Sequence, residues 1–232
     1  MRIDDVRSYV AGCMHFVTLH TDNGLVGLGQ SGFWAYPTAV HAIVERFRDY
    51  LVGKDPSQIE RHWQHPYRMG PFRGAALTAA VSAVDIALWD IKSQHFHTPV
   101  HELLGGRYRD RVRLCRLLWS KDGHALVAEA QDAASQGFTA VKFDPLLAGY
   151  QDASYARMSE SCMELVGAVR SAVGLDVDIV LELHRKLTPL QALPLIERLA
   201  SFSLLFCEDP NTFNLRLHGC SLGAWVEQDS RY

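Results

Sequence analysis

The chain has 232 residues, 48% of them hydrophobic and 21% charged, which is enough apolar material for one large or two modest globular domains. A net charge of −3 offers no basic surface to nucleic acid or an anionic membrane, and no apolar run approaches the roughly 20 residues of a membrane span. The start, Met1 to Asp5, lacks a signal-type apolar region. The five cysteines (Cys13, Cys115, Cys162, Cys207, Cys220) never form a C-x-x-C pair, so a cytoplasmic protein with reduced, mostly buried thiols is expected.

The first sixty residues open with strands. His15 to Thr21 alternates, Asn23-Gly24 marks a turn, and Leu25 to Leu28 resumes extended apolar sequence, which together predict a hairpin. Thr38 to Leu51 has helical spacing at Val40, Ile43, Val44, Phe47 and Leu51. After a loop at Pro71 to Gly74, Ala75 to Lys92 reads as a long helix, apolar almost all round and therefore buried on most faces. Pro99 and Gly105-Gly106 punctuate the end of an α+β unit.

From Val112 the rhythm changes. Strands are predicted at Val112 to Leu118, Ala140 to Phe143, Asp178 to His184 and Leu204 to Cys207. Helices are predicted between them at Gly123 to Gln136, Ser154 to Val173 and Thr188 to Leu199. Short apolar strands alternating with helices imply βαβ units and a parallel sheet. After Pro210 the pattern stops, and Asn211 to Tyr232 shows neither a helix period nor a further strand.

Three successive strands deliver polar residues near their C-terminal ends. The second brings Lys142 and Asp144, two apart and so on one face. The third brings Glu182 and His184, again two apart, and the fourth ends on Glu208. Charges in apolar strands are costly unless paired or ligated, and the C-terminal strand ends are where parallel barrels build chemistry. Two carboxylates from neighbouring strands suit a hard divalent cation such as Mg²⁺. Each pair also has a plain structural reading: a helix cap at Glu208-Asp209, an ion pair between Lys142 and Asp144, a barrel-mouth hydrogen bond between Glu182 and His184. Their shared phase on consecutive strands favours a site.

Two other patterns carry less. Gly27-x-Gly29-x-x-Gly32 fits a dinucleotide fingerprint literally but falls in a hairpin strand, not at a strand-to-helix turn. His95, His97 and His101 have no acid or cysteine partners in a ligand pattern and read as a polar helix terminus.

Several segments resemble the mandelate racemase/muconate lactonizing group of the enolase superfamily. They are Thr21 to Gln30, Ala83-Val-Asp-Ile-Ala-Leu-Trp-Asp-Ile-Lys92, Pro99-Val-His-Glu-Leu-Leu-Gly-Gly106, Gly137 to Pro145 and Leu205-Phe-Cys-Glu-Asp-Pro210. The resemblance implies an α+β capping domain over residues 1–110 and half of a (β/α)8 TIM-type barrel over 111–210, with about four of eight strands. Residues 211–232 form a tail outside the pattern. It also implies Mg²⁺ held by Glu182 and Glu208 as two of three ligands, stabilising the enediolate formed when the proton alpha to a carboxylate is removed. Racemases and cycloisomerases of the group carry Lys-x-Lys on the second strand, whereas Asp144 stands at the second position here. A neighbouring carboxylate would raise the pKa of Lys142 and disfavour it as a base. Glu182-Leu-His184-Arg185 is similar to the acid-sugar dehydratases, in which the histidine protonates the departing β-hydroxyl, a task suited to an imidazole. The expected activity is a Mg²⁺-dependent hydro-lyase acting on a sugar acid such as an aldonate, with Lys142 placing or neutralising the substrate carboxylate. Loops around Phe33-Trp34 and His65 to Arg73 are expected to cover the site. The expected partners are that small molecule and at most further copies of the chain, with no nucleic acid or membrane.

A TIM barrel alone needs about 250 residues, and the stretch from Val112 supplies about half of that. The third ligand and the histidine–aspartate base of such dehydratases have no recognisable counterpart, so a C-terminal truncation is expected. A non-catalytic fragment is the alternative to the dehydratase, and a racemase or cycloisomerase the second alternative.

Overall fold

The structure is a computed structural model and describes residues 1–210; the 211–232 tail of the sequence reading lies outside the described residues. The chain divides into two units at Asp110/Arg111. In the first, β1 (Ile3–Ala11), β2 (Met14–Thr21) and β3 (Val26–Ser31) form an antiparallel sheet in that order. Asn23-Gly24 makes the expected hairpin turn, with Gly24 at φ +86° and the Thr21 N–H donating to Leu25 C=O at 3.0 Å. His15, Val17, Leu19 and Thr21 alternate inward, and α1 (Pro37–Leu51) and α3 (Ala75–Phe96) pack on that face through Val40, Val44, Phe47, Val84 and Leu88.

The close fit of α3 on β3 explains the glycine pattern. A Cβ on Gly27 would stand 2.1 Å from the Ala87 carbonyl oxygen, and one on Gly29 would stand 1.8 Å from that of Ala83. Two hydrogen bonds pin the same seam: Leu28 N–H to Asp90 Oδ2 at 2.9 Å, and Gln94 Nε2 to Val26 C=O at 2.8 Å. The glycines of this strand therefore serve helix packing.

Helix α2 (Ile59–Arg68) has no counterpart in the sequence reading. Its buried face is Ile59, His62 and Pro66, so the apolar periodicity that signals a helix is missing. A short α4 (Val100–Leu103) follows Pro99, and His97 closes α3 in a left-handed cap, in keeping with the polar terminus expected there.

Two buried histidines give this unit a pH signature. Burial pushes the pKa of His15 down, with the nearby His41 adding to the effect, and burial likewise lowers that of His62. A depressed pKa means that the unfolded chain takes up protons which the fold refuses. The stability at stake is complete above the ordinary histidine value of about 6.5 and is lost as pH falls below it toward the folded values. Chemical denaturation is expected to show lower stability at about pH 5 than at about pH 7.5, with a shallower dependence in His62→Gln. An unchanged slope in that variant would remove His62 from the account.

In the second unit, β4 (Arg116–Leu117), β5 (Ala140–Phe143), β6 (Asp178–Glu182) and β7 (Phe206–Glu208) form a parallel sheet in chain order. They are joined by α5 (Gly123–Ser135), α6 (Tyr155–Val173) and α7 (Pro189–Leu199). This is half of a (β/α)8 barrel. Its core runs through Val141, Phe143, Ile179, Leu181, Val166 and Leu195. Asp122 caps α5 by accepting the Ala125 N–H at 2.9 Å, and Ser154 caps α6.

Two strand expectations are corrected. Of Val112 to Leu118 only Arg116 and Leu117 pair in the sheet. Upstream, Arg113 holds on by its side chain instead, donating to Thr139 and pairing with Asp178 at 2.7 Å. The third strand ends at Glu182 and not at His184, because His184 and Arg185 both take left-handed backbone, at φ 49° and 57°. No helix among the described residues is long and apolar enough to cross a membrane.

Candidate active site

Strand register builds the centre of the site. Glu182 on β6 and Glu208 on β7 are direct partners across the sheet. Lys142, on the adjoining β5, reaches both: its Nζ lies 2.8 Å from Glu182 Oε2 and 2.5 Å from Glu208 Oε2. Glu182 is the most enclosed member, with its side chain 9% exposed, and it also accepts the His184 N–H at 3.1 Å.

The protonation states follow from these contacts. Burial works against the charge on Lys142, but hydrogen bonds to Glu182 and Glu208 outweigh it and raise its pKa above the ordinary lysine value. Burial likewise works against ionised Glu182, but the Lys142 hydrogen bond and the His184 N–H outweigh it and hold the carboxyl low. A lysine fixed as ammonium is a poor base and a good partner for an anion. The sequence pointed to Asp144 as the source of this effect, whereas the carboxylates that raise Lys142 are Glu182 and Glu208.

Asp144 does not form the ion pair with Lys142 that its spacing offered as the plain structural reading. Its carboxylate contacts the Lys186 ammonium, accepts the Leu146 N–H at 2.9 Å, and lies 3.9 Å from His184 Nδ1. Lys186 in turn sits 5.7 Å from the centroid of the Tyr150 ring. The Lys142–Asp144 ion pair is thus replaced by two separate contacts, one across the strands and one to the loop after β6.

His184 still reaches the site, by a turn and not by strand phase. Its Nδ1 is 3.9 Å from Glu182 Oε1 as well as from Asp144, and its ring is half exposed. The turn is tied to the segment after β7: Leu183 N–H donates to Glu208 C=O, Arg185 N–H donates to Asp209 C=O at 2.7 Å, and the Arg185 guanidinium pairs with the Asp209 carboxylate at 2.9 Å. Left-handed backbone at a non-glycine residue is strained, and these bonds hold it in place. Arg185, Lys186 and Asp209 went unassigned in the sequence because nothing in their spacing announces a turn. A basic pair three and four residues beyond the strand-end Glu182 was the only signal.

Cys207 and Cys162 take no part as nucleophiles: burial pushes each thiol up to about 12, helped by Glu182 and Glu208 at Cys207 and by Asp144 at Cys162.

The donor set bears on a metal. Two carboxylate oxygens from registered positions converge on a single positive charge, the Lys142 ammonium. Oxygen donors around one cation position suit a hard divalent ion. Among the described residues no group of three or more His, Cys, Asp or Glu side chains comes together to hold one. The fit is to two of the ligands.

Residues 7–105 match the model of the mandelate racemase/muconate lactonizing enzyme N-terminal domain, and residues 125–221 match that of the enolase C-terminal domain-like fold. The chain belongs to the mandelate racemase/muconate lactonizing enzyme family. The segments Ala83 to Lys92 and Pro99 to Gly105 lie inside the first match, and the second runs past Pro210. Among curated members of the family, the chain is similar to the D-galactonate dehydratase of Xanthomonas campestris pv. campestris (strain B100). The two are 34% identical over 199 residues, which are 84% of this chain and 51% of that protein. The chain spans about half the length of the curated relatives it matches.

Solved structures in the superfamily agree on the fold. An enolase from Pantoea ananatis with bound D-gluconate and Mg superposes with a TM-score of 0.80 at 25% identity, covering 90% of this chain and 60% of that one. The 3,6-anhydro-D-galactonate cycloisomerase from Zobellia galactanivorans gives 0.80 at 28%, covering 91% and 59%.

Proposed function

We propose that this chain carries the metal-and-acid half of an acid-sugar dehydratase site, acting on an aldonate such as D-galactonate with Mg²⁺. The observation that carries the reading is the convergence of Glu182, Glu208 and Lys142, three charged side chains from three consecutive strands, with His184 beside them. The similarity to D-galactonate dehydratases supports the substrate class. The gluconate and Mg in the Pantoea ananatis enolase support the acid-sugar and metal parts.

Glu182 and Glu208 would hold the Mg²⁺, which supplies electrostatic stabilisation to the substrate carboxylate as its alpha carbon loses a proton. Lys142, held as ammonium, adds a second positive charge where that carboxylate binds. It is therefore assigned to substrate positioning and not to proton abstraction. His184 donates a proton to the β-hydroxyl. The alpha proton passes to a base that Glu182, Glu208, Lys142 and His184 do not supply. As the C–H electron pair becomes the new C=C bond, the β C–O bond breaks and the hydroxyl leaves as water with the proton from His184. Asp144, 3.9 Å from His184 and anchored by Lys186, orients the imidazole. The enol product ketonises to a 2-keto-3-deoxy acid.

The test is to incubate the purified chain with D-galactonate and other aldonates, with and without Mg²⁺, while following 2-keto-3-deoxy product and aldonate binding by calorimetry. The expected result is Mg²⁺-dependent aldonate binding, and any product formed should fall on the order of 100-fold or more in His184→Ala. Absence of both turnover and Mg²⁺-dependent aldonate binding overturns the reading for this chain. Deuterium exchange at the alpha carbon without loss of water would point to a racemase or cycloisomerase instead.

A further inference from the structure

In the first unit, α2 and α3 line an open groove of about 680 Å³ that the proposed chemistry does not use. Its wall takes Glu60 and Trp63 from one face of α2, and Asp85, Trp89 and Lys92 from one face of α3. The volume falls within the range of small-molecule sites.

The charges in this groove are unevenly satisfied. Arg61 is committed to Gln58, with Nη1 donating to Oε1 at 3.1 Å, and Lys92 lies 5.0 Å from the centroid of the Trp89 ring. Glu60 accepts from Gln64 Nε2 at 2.6 Å. Asp85 has neither a hydrogen bond nor an ion pair among the described residues. Five positions along the same helix, Asp90 is engaged by the Leu28 N–H, so an acid in α3 is not idle by default. Burial pushes the Asp85 carboxyl up, and the charge of Glu60 pushes it further. A half-buried carboxylate without a partner costs free energy until a positive group arrives. The Lys92–Trp89 contact already displays cation–π attraction in this wall.

We infer that this groove binds a small organic cation, an alkylammonium or guanidinium group, with Asp85 as its counter-ion, Glu60 as a second acceptor and the Trp63 and Trp89 indoles as walls. An anionic sugar acid has the wrong charge for it.

The probes are butylammonium and methylguanidinium, titrated into the full chain at ionic strength matched with NaCl, because exposed charge attraction is screened by salt. Binding is read from the indole N–H signals of Trp63 and Trp89 by NMR. The expected result is saturable binding by at least one probe, weakened tenfold or more in Asp85→Asn, with no response of those signals to D-galactonate. Lack of saturation up to about 50 mM, equal affinity in Asp85→Asn, or an identical response to Mg²⁺ alone overturns the inference. Should Asp85→Asn fail to fold, Glu60→Gln and Trp63→Leu are judged in its place. Unchanged affinity in both overturns it equally.

Discussion

Gly29→Ala is expected to destabilise the first unit by about 3 kcal/mol, the upper range for an over-packed contact, measured by chemical denaturation. The reason is the identity of the obstructing atoms. The added methyl would meet the Ala83 carbonyl oxygen at 1.8 Å and the Ala87 nitrogen at 3.1 Å, and both belong to the backbone of α3. A flexible side chain could turn aside, but a helix backbone can only be pushed away. Moving it would also stretch the Leu28–Asp90 and Gln94–Val26 bonds on the same seam. Gly32 is the control: a Cβ there meets nothing within 4 Å, so Gly32→Ala should be close to neutral. A dinucleotide fingerprint would need all three glycines for a turn, phosphate approach and packing. Packing alone separates Gly29 from Gly32. Equal loss in the two variants would discredit the packing account.

The parts of the fold legible in the sequence are those where one physical signal acts alone. The hairpin at Asn23-Gly24, the long α3 and the alternation of β5, β6 and β7 with helices all follow from turn chemistry and apolar period, and all are present. Helix α2 was invisible because its inward face is Ile59, His62 and Pro66. Histidine buries there through Tyr50, 3.1 Å from Nδ1, and through the Asp55 carbonyl, 2.8 Å from Nε2, and no hydropathy pattern registers such partners. Residues 112–115 were over-read for the opposite reason. Their sequence alternates like a strand, but Arg113 reaches the sheet with its guanidinium.

The site shows the same division. That Glu182 and Glu208 share one level could be read from strand ends, because parallel register pairs them directly. Lys142 is registered with Val180, two residues lower, and reaches both with its long side chain. That pairing could not be read. In sequence the nearest acid to Lys142 is Asp144, whereas in the fold its partners lie 40 and 66 positions away, and Asp144 belongs to Lys186. Period-two reasoning also placed His184 on the face of Glu182 by way of a strand that has already ended. The histidine arrives near the same carboxylates through two left-handed residues clamped by Asp209. Proximity was recovered and its cause was not.

Lys142→Met should have effects of opposite sign on stability and on metal response. Without Mg²⁺, the variant leaves the enclosed Glu182 and the more exposed Glu208 with no cation between them. Removing one partner from a buried ion pair costs about 3–5 kcal/mol. With Glu208 42% exposed and partly solvated, a loss of about 2 kcal/mol is expected. With Mg²⁺, the proposed metal no longer competes with an ammonium for the same two carboxylates. A tenfold tighter site adds about 1.4 kcal/mol of ligand-linked stability at saturating metal, so the Mg²⁺-induced rise in melting temperature should be larger in Lys142→Met than in the parent. Thermal melts of both proteins across a Mg²⁺ titration decide it, with Glu182→Gln expected to abolish the metal response. A variant that loses stability and gains no response to Mg²⁺ would leave the three charges as a structural triad, and the assignment of Glu182 and Glu208 as ligands would fall with it.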